Sequence, residues 1–162
     1  MTDLSESQII KIEGGDQGPS LDLERIKQVL PHRDPFLLVD EVSYYDGLNY
    51  ARGLKKLTGQ EYFFKHHFDG QPELPKPILV EIMAQLGAAC VLNHPDYEGK
   101  LILFATIEDC AFGKAPVPGD TLDLRVETRG MRRGVGKMRA QCLVNGQLRA
   151  DGILMFAIAE RQ

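Results

Sequence analysis

Cysteine is scarce in this 162-residue chain: Cys90, Cys110 and Cys142 are odd in number, widely spaced and form no Cys-x-x-Cys pair. Each sits inside an apolar run, so the sequence predicts reduced, buried packing thiols rather than a disulfide framework or a redox motif. Excess positive charge is missing too, with 19 Lys and Arg against 23 Asp and Glu and a net charge of −4. Phosphate neutralisation needs a concentrated basic surface, so nonspecific nucleic-acid binding is not expected. No stretch approaches the roughly 20 apolar residues that span a bilayer. Residues 1–18 carry Asp3, Glu6, Glu13 and Asp16, where a secretory leader needs a continuous apolar segment. These absences predict a cytoplasmic protein with no membrane insertion. Repeats, low-complexity tracts and linkers are lacking as well, which leaves one domain.

What is present suffices for a core, because a chain of this length buries roughly 70% of its unfolded surface without disulfides or a structural metal. Gly14-Gly15 and Gly18-Pro19 break any regular pattern, so residues 1–19 read as a loosely ordered lead-in and residues 20–162 as the domain. Ser20 stands as a capping residue before Leu23, Ile26 and Leu30, a helical spacing that Pro31 ends. Residues 36–45 and 49–57 read as two strands joined at Asp46-Gly47. The proline-rich stretch 63–77 cannot be a regular element. Residues 78–93 are apolar on almost every side, which predicts a buried helix with Pro77 at its first turn.

The remainder reads as strands. Residues 101–110 form an apolar run, and after the Pro118-Gly119-Asp120 turn Leu122, Leu124 and Val126 alternate with Asp123, Arg125 and Glu127. Met138, Ala140 and Cys142 alternate similarly, and Asn145-Gly146 marks a hairpin into residues 148–159. Alternation means a sheet with one wet face. One helix cannot cover a flat sheet of this size, so an α+β architecture is expected in which a curved antiparallel sheet wraps around one long buried helix.

Two groups carry possible chemistry. Glu81 and Gln85 share one face of the apolar helix, where an unpartnered carboxylate costs several kcal/mol or shifts its pKa upward. Glu81 therefore either pairs with a cation, or reaches solvent at the helix start, or belongs to a site. His67 lies on the preceding loop, close enough to fold back beside the helix. It is either a hydrogen-bonded loop residue or a base complementary to an acidic Glu81. A metal site built from His66 and His67 with Asp69, Glu73 or His94 is disfavoured, because adjacent His side chains need not converge. Lys114, Arg129, Arg132 and Arg133 supply local positive charge, either as solvated turn residues or as a docking rim.

The string from Phe64 through His67-Phe68, Gly70, Pro72 and Pro75 to Glu81 and Ala84-Gln85 resembles the signature of the β-hydroxyacyl-acyl carrier protein dehydratases. In that signature His-Phe-Pro-Gly-x-Pro-x-Met-Pro-Gly precedes a helix bearing Glu and Ala-Gln. Residues 30–40 resemble the entry segment of the same family, and residues 104–112 and 117–120 its later strand and turn, so the likeness extends over about residues 20–159. It departs at His66, Asp69, Lys76 and Pro77, where the family usually has Gly, Pro, Gly and Val.

The resemblance implies a hot-dog fold, a homodimer that often assembles as three dimers, and sites at the dimer interface with His and Glu from different subunits. It implies that His67 removes the proton α to the thioester carbonyl while Glu81 protonates the leaving β-hydroxyl. Phe68, Gly70, Lys76 and Gln85 would contact or orient substrate, and Phe68, Ile78, Met83 and Phe104 would line the acyl tunnel. The implied partner is an acidic acyl carrier protein carrying a 3-hydroxyacyl chain, docked at Lys114, Arg132 and Arg133. No metal or redox cofactor is implied. A noncatalytic acyl-binding or carrier-binding protein and a thioesterase on the same fold are the alternatives.

Overall fold

Seven consecutive residues, Leu86 to Leu92, are buried on the long helix, and Leu79, Val80, Ile82, Met83 and Gln85 are buried with them. Two full turns without a wet side leave the surrounding chain only one option, which is to enclose the helix. The computed structural model, which describes residues 4–12, 18–65 and 70–161, shows how it does so. The helix spans Lys76–Leu92 and is the second in the chain, α2. It follows α1 (Leu23–Val29), β1 (Glu41–Asp46) and β2 (Tyr50–Lys56) and precedes β3 (Leu101–Phe112), β4 (Thr121–Arg132), β5 (Val135–Val144) and β6 (Gln147–Ala159). The six strands form one antiparallel sheet in the order β1-β2-β4-β5-β6-β3, and α2 packs against β1 through β5.

The hydrophobic alternation works as expected on the inner face. Leu122, Leu124 and Val126 of β4 point to the core, as do Met138, Ala140 and Cys142 of β5 and Ala150, Leu154 and Phe156 of β6. Asn145 and Gly146 both adopt positive φ, 51° and 76°, the backbone of the tight turn that joins β5 to β6.

Several boundaries differ from the sequence reading. The cap of α1 is Asp22, whose carboxylate accepts the Arg25 amide, and not Ser20. Helix α2 begins two residues before Ile78, because extended Pro75 and first-turn Pro77 both suit a helix start. Residues 36–40 are not strand despite their aromatic and branched side chains. Gln85 holds them instead, with its Oε1 accepting from Leu38 N at 2.8 Å and its Nε2 donating to Phe36 O at 2.8 Å. Strand β3 is an edge strand on which Leu103, Phe104 and Ile107 are exposed. Cys90 and Cys142 are buried, whereas Cys110 on that edge is only half-buried.

On the outer face, residues of the N-terminal segment lie across the sheet. Ile10 is buried, its N–H donates to Gln141 Oε1 at 2.7 Å, and Gln141 Nε2 donates to Gln8 O at 2.9 Å. Gln141, on the face that alternation assigns to water, is thereby fully buried. Nearby, Arg139 grips Asp151 through two hydrogen bonds of 2.9 and 2.6 Å.

Burial pushes the Asp151 carboxyl up, but its hydrogen bonds from Arg139, Ser7 and Gln141 outweigh this and hold it below the usual carboxylate range. A carboxyl that titrates lower folded than unfolded, where its value is about 3.9, adds stability above that pH and loses it as pH falls through the folded value. Asp151→Asn is expected to cost about 2 kcal/mol at neutral pH. Urea unfolding across a pH series should show the deficit shrinking under acid conditions; a deficit independent of pH would show that the charge contributes nothing.

Candidate active site

Glu81 sits one helical turn before Gln85, so both side chains leave α2 on the same side. Gln85 Nε2 donates to Glu81 Oε1 at 2.9 Å as well as to Phe36 O, and Gln85 is fully buried. An amide that bridges two backbone groups of the 36–38 segment cannot rotate freely, so the carboxylate it contacts is held by the fold. The same Glu81 oxygen lies 3.6 Å from His32 Nε2, and the two side chains retain 26% and 28% of their exposure. Glu81 is thus half-buried beside an imidazole and is open at one side. His32 Nδ1 is buried with no hydrogen-bond partner among the described residues. Burial, followed by the nearby Glu81 carboxylate, pushes the Tyr62 phenol above its ordinary value.

Beside these polar groups a slot of about 120 Å³ lies between α2 and the sheet. Ala84 and Ala88 form its helix wall, while β3, β5 and β6 contribute apolar side chains opposite. A carboxylate at the mouth of an apolar slot can exchange a proton with a polar group on a bound chain whose hydrocarbon part lies inward. The first turn of α2 adds amide donors only at Lys76 and Ile78, since Pro75 and Pro77 have none and no side chain caps this end.

A family model described as a FabA-like domain matches residues 30–152. A protein from Herpetosiphon aurantiacus named 3-hydroxyacyl-[acyl-carrier-protein] dehydratase FabZ is 48% identical over 141 residues, covering 86% of this chain and 99% of its own length. One of the same name from Desulforamulus reducens is 43% identical, covering 87% and 99%. The chain belongs to the FabA-like dehydratase family. Among solved structures, the dehydratase heterocomplex ApeI:P from Xenorhabdus doucetiae shares the fold at a TM-score of 0.72 and 16% identity, over 84% of this chain and 91% of that one. A hypothetical thioesterase with coenzyme A from Streptococcus pneumoniae aligns at 0.54 and 12% identity, over 70% and 82%. The hot-dog fold is common to both, so the sequence identity decides the family.

Within this family frame the expected residues separate into groups. Glu81 and Gln85 come together through their hydrogen bond. His67 and Phe68, with His66 and Asp69, lie outside the described residues. Gly70 adopts φ +80°, a conformation that favours glycine, and among the described residues nothing lies within 4 Å of where its Cβ would stand. Lys76 carries its ammonium 5.4 Å from the centre of the Phe112 ring, at the other end of β3 from Phe104, which lines the slot. Ile78 and Met83 pack with the core and not into the slot.

The basic residues do not form one patch in a single chain. Lys114 follows the end of β3, which pairs with the start of β6. Arg132 and Arg133 stand at the opposite end of the sheet, beside the start of β5 and the end of β6. The length of a ten-residue strand, roughly 30 Å, separates the two ends. Arg129 is already paired with Glu127 at 2.8 Å. Burial raises the thiols of Cys90 and Cys142 to about 12 and also raises that of Cys110, so none supplies a ready thiolate. No group of three or more metal-ligating side chains gathers among the described residues.

His32 is the site residue that sequence reasoning did not single out. It stands in the Leu30-Pro31-His32-Arg33 string that carries part of the family resemblance, but no periodicity connects that string to Glu81.

Replacing Gln85 by Leu strands Leu38 N–H in a buried place and removes the donor to Phe36 C=O. Equilibrium urea denaturation should show a loss of about 3 kcal/mol; a change below about 0.5 kcal/mol, the size of an ordinary surface substitution, would mean that the 36–38 segment is held by something else.

Proposed function

We propose that this protein dehydrates 3-hydroxyacyl-acyl carrier protein thioesters to trans-2-enoyl thioesters in the biosynthesis of fatty acids or related acyl chains. The observation that carries the reading is Glu81, half-buried at the mouth of an apolar slot and oriented by Gln85. Near-full-length identity to proteins named as dehydratases supports it. In the reaction His67 takes the proton from the carbon α to the thioester carbonyl. The released electron pair forms the α–β double bond as the bond from the β carbon to oxygen breaks. Glu81 gives its proton to the departing hydroxyl, which leaves as water. The amides at the start of α2, with the positive end of the helix dipole, favour the negative charge that develops on the thioester oxygen. Phe68, Gly70 and the Lys76 backbone help to place the thioester. His32, 3.6 Å from Glu81, limits where that carboxyl can turn.

The working unit is a homodimer in the cytoplasm, with three dimers able to associate further. Strand β3 has a free edge and exposes Leu103, Phe104 and Ile107, an arrangement that a second copy would cover by extending the sheet. In such a dimer the family resemblance has His67 of one chain serve the same site as Glu81 of the other. Antiparallel pairing there also brings Lys114 of one chain to the same end of the sheet as Arg132 and Arg133 of its mate, giving the acidic carrier a continuous basic surface.

His67→Ala and Glu81→Ala should each lower dehydration of a 3-hydroxyacyl-carrier thioester by at least about 100-fold, the scale of a lost acid or base, with unchanged circular dichroism. Full activity in either variant would defeat the assignment, and free acid and thiol as products would identify a thioesterase. Ile107→Lys should convert the dimer to a monomer by light scattering and abolish turnover; an active monomer would rule out the shared site.

A further inference from the structure

Two of the side chains that line the slot beside Glu81 occupy the room left by two glycines. Met138 lies against α2 at Gly87, where a Cβ would stand 2.2 Å from the Met138 sulfur. Phe156 lies over its cross-strand partner Gly136, where a Cβ would stand 2.2 Å from the ring. Both side chains line the slot and both are almost fully buried, at 4% and 1% exposure. The helix wall from Glu81 to Ala88 is about 10 Å long at 1.5 Å per residue. Met138 sits at Gly87, next to Ala88, the last helix residue that lines the slot, and both Met138 and Phe156 belong to the buried core.

We infer that Met138, seated on Gly87, and Phe156, seated on Gly136, set the upper limit of acyl chain length this enzyme accepts. The inference rests on the dehydratase reading for the identity of the chain and adds the feature that selects among chains. The two stops differ physically. Phe156 is a flat ring pinned against the neighbouring strand, so it moves only if the strands move. Met138 has an unbranched, polarizable thioether that can change rotamer, so it is the adjustable part of the limit. Neither glycine has positive φ. What they supply is the missing Cβ, and adding one at position 87 drives the Met138 side chain toward the slot.

The test compares kcat/KM for 3-hydroxybutyryl, 3-hydroxyoctanoyl and 3-hydroxypalmitoyl thioesters in the wild-type protein, Met138→Ala and Gly87→Ala. Calorimetric binding of the same three ligands is measured alongside. Each further buried methylene is worth roughly fourfold, so Met138→Ala should raise the ratio of long-chain to short-chain kcat/KM by about tenfold or more. Gly87→Ala should lower that ratio, and opposite shifts from two core substitutions cannot arise from a shared loss of stability. Phe156→Leu should shift the ratio in the same direction as Met138→Ala. Wild-type ratios in both Met138→Ala and Gly87→Ala, by turnover and by binding, would overturn the inference. Absence of turnover in every protein, with binding ratios that still shift as stated, would instead overturn the dehydratase reading and support the limit.

Discussion

Every part of this structure answers to one constraint: a helix that is apolar on all sides has to be kept from water by a chain that has only one sheet to do it with. A flat sheet would cover a single face. Six antiparallel strands of unequal length, with the strands next to the centre running ten residues or more, curl far enough that five of them touch α2. The fit is close enough that Met138 rests where a Cβ on the helix would otherwise be.

The exception to the helix's apolarity is what makes it useful. Gln85 is buried at no apparent deficit because its amide is shared among Leu38 N–H, Phe36 C=O and the Glu81 carboxylate. A hydrogen-bonded segment of loop thereby replaces strand at residues 36–40, which also carries His32 to within 3.6 Å of Glu81. One polar side chain thus couples the local path of the backbone to the orientation of the Glu81 carboxylate. The slot beyond it is apolar for the same reason the core is, since it is a part of the helix–sheet contact left unfilled.

Much of this was legible in order and pattern. The alternation of Leu122, Leu124 and Val126 with charged residues and the all-apolar helix led to a wrapped sheet, and the spacing of Glu81 and Gln85 marked the one polar feature inside it. The misreadings share a cause. Residues 36–40 have strand composition, but their hydrogen bonds go to a helix side chain that no local window contains. Gln141 has the period of a wet face, yet the N-terminal segment crosses over it. Lys114 and Arg132 read as a single rim because both stand near turns, and strand register places them at opposite ends.

The sequence by itself determined what depends on near neighbours: which segments bury, which periods they keep, where turns fall, and which acid sits on the helix face at the signature spacing. Only the tertiary structure decided what depends on residues far apart in the chain. It brought His32 to Glu81, gave Gln85 its three partners, lined the slot with Met138 and Phe156, and left the edge of β3 open. Hydrophobic periodicity reports whether a side chain is buried, but the partners of a buried polar group and the depth of a cavity are set by chain crossings that no short-range pattern encodes.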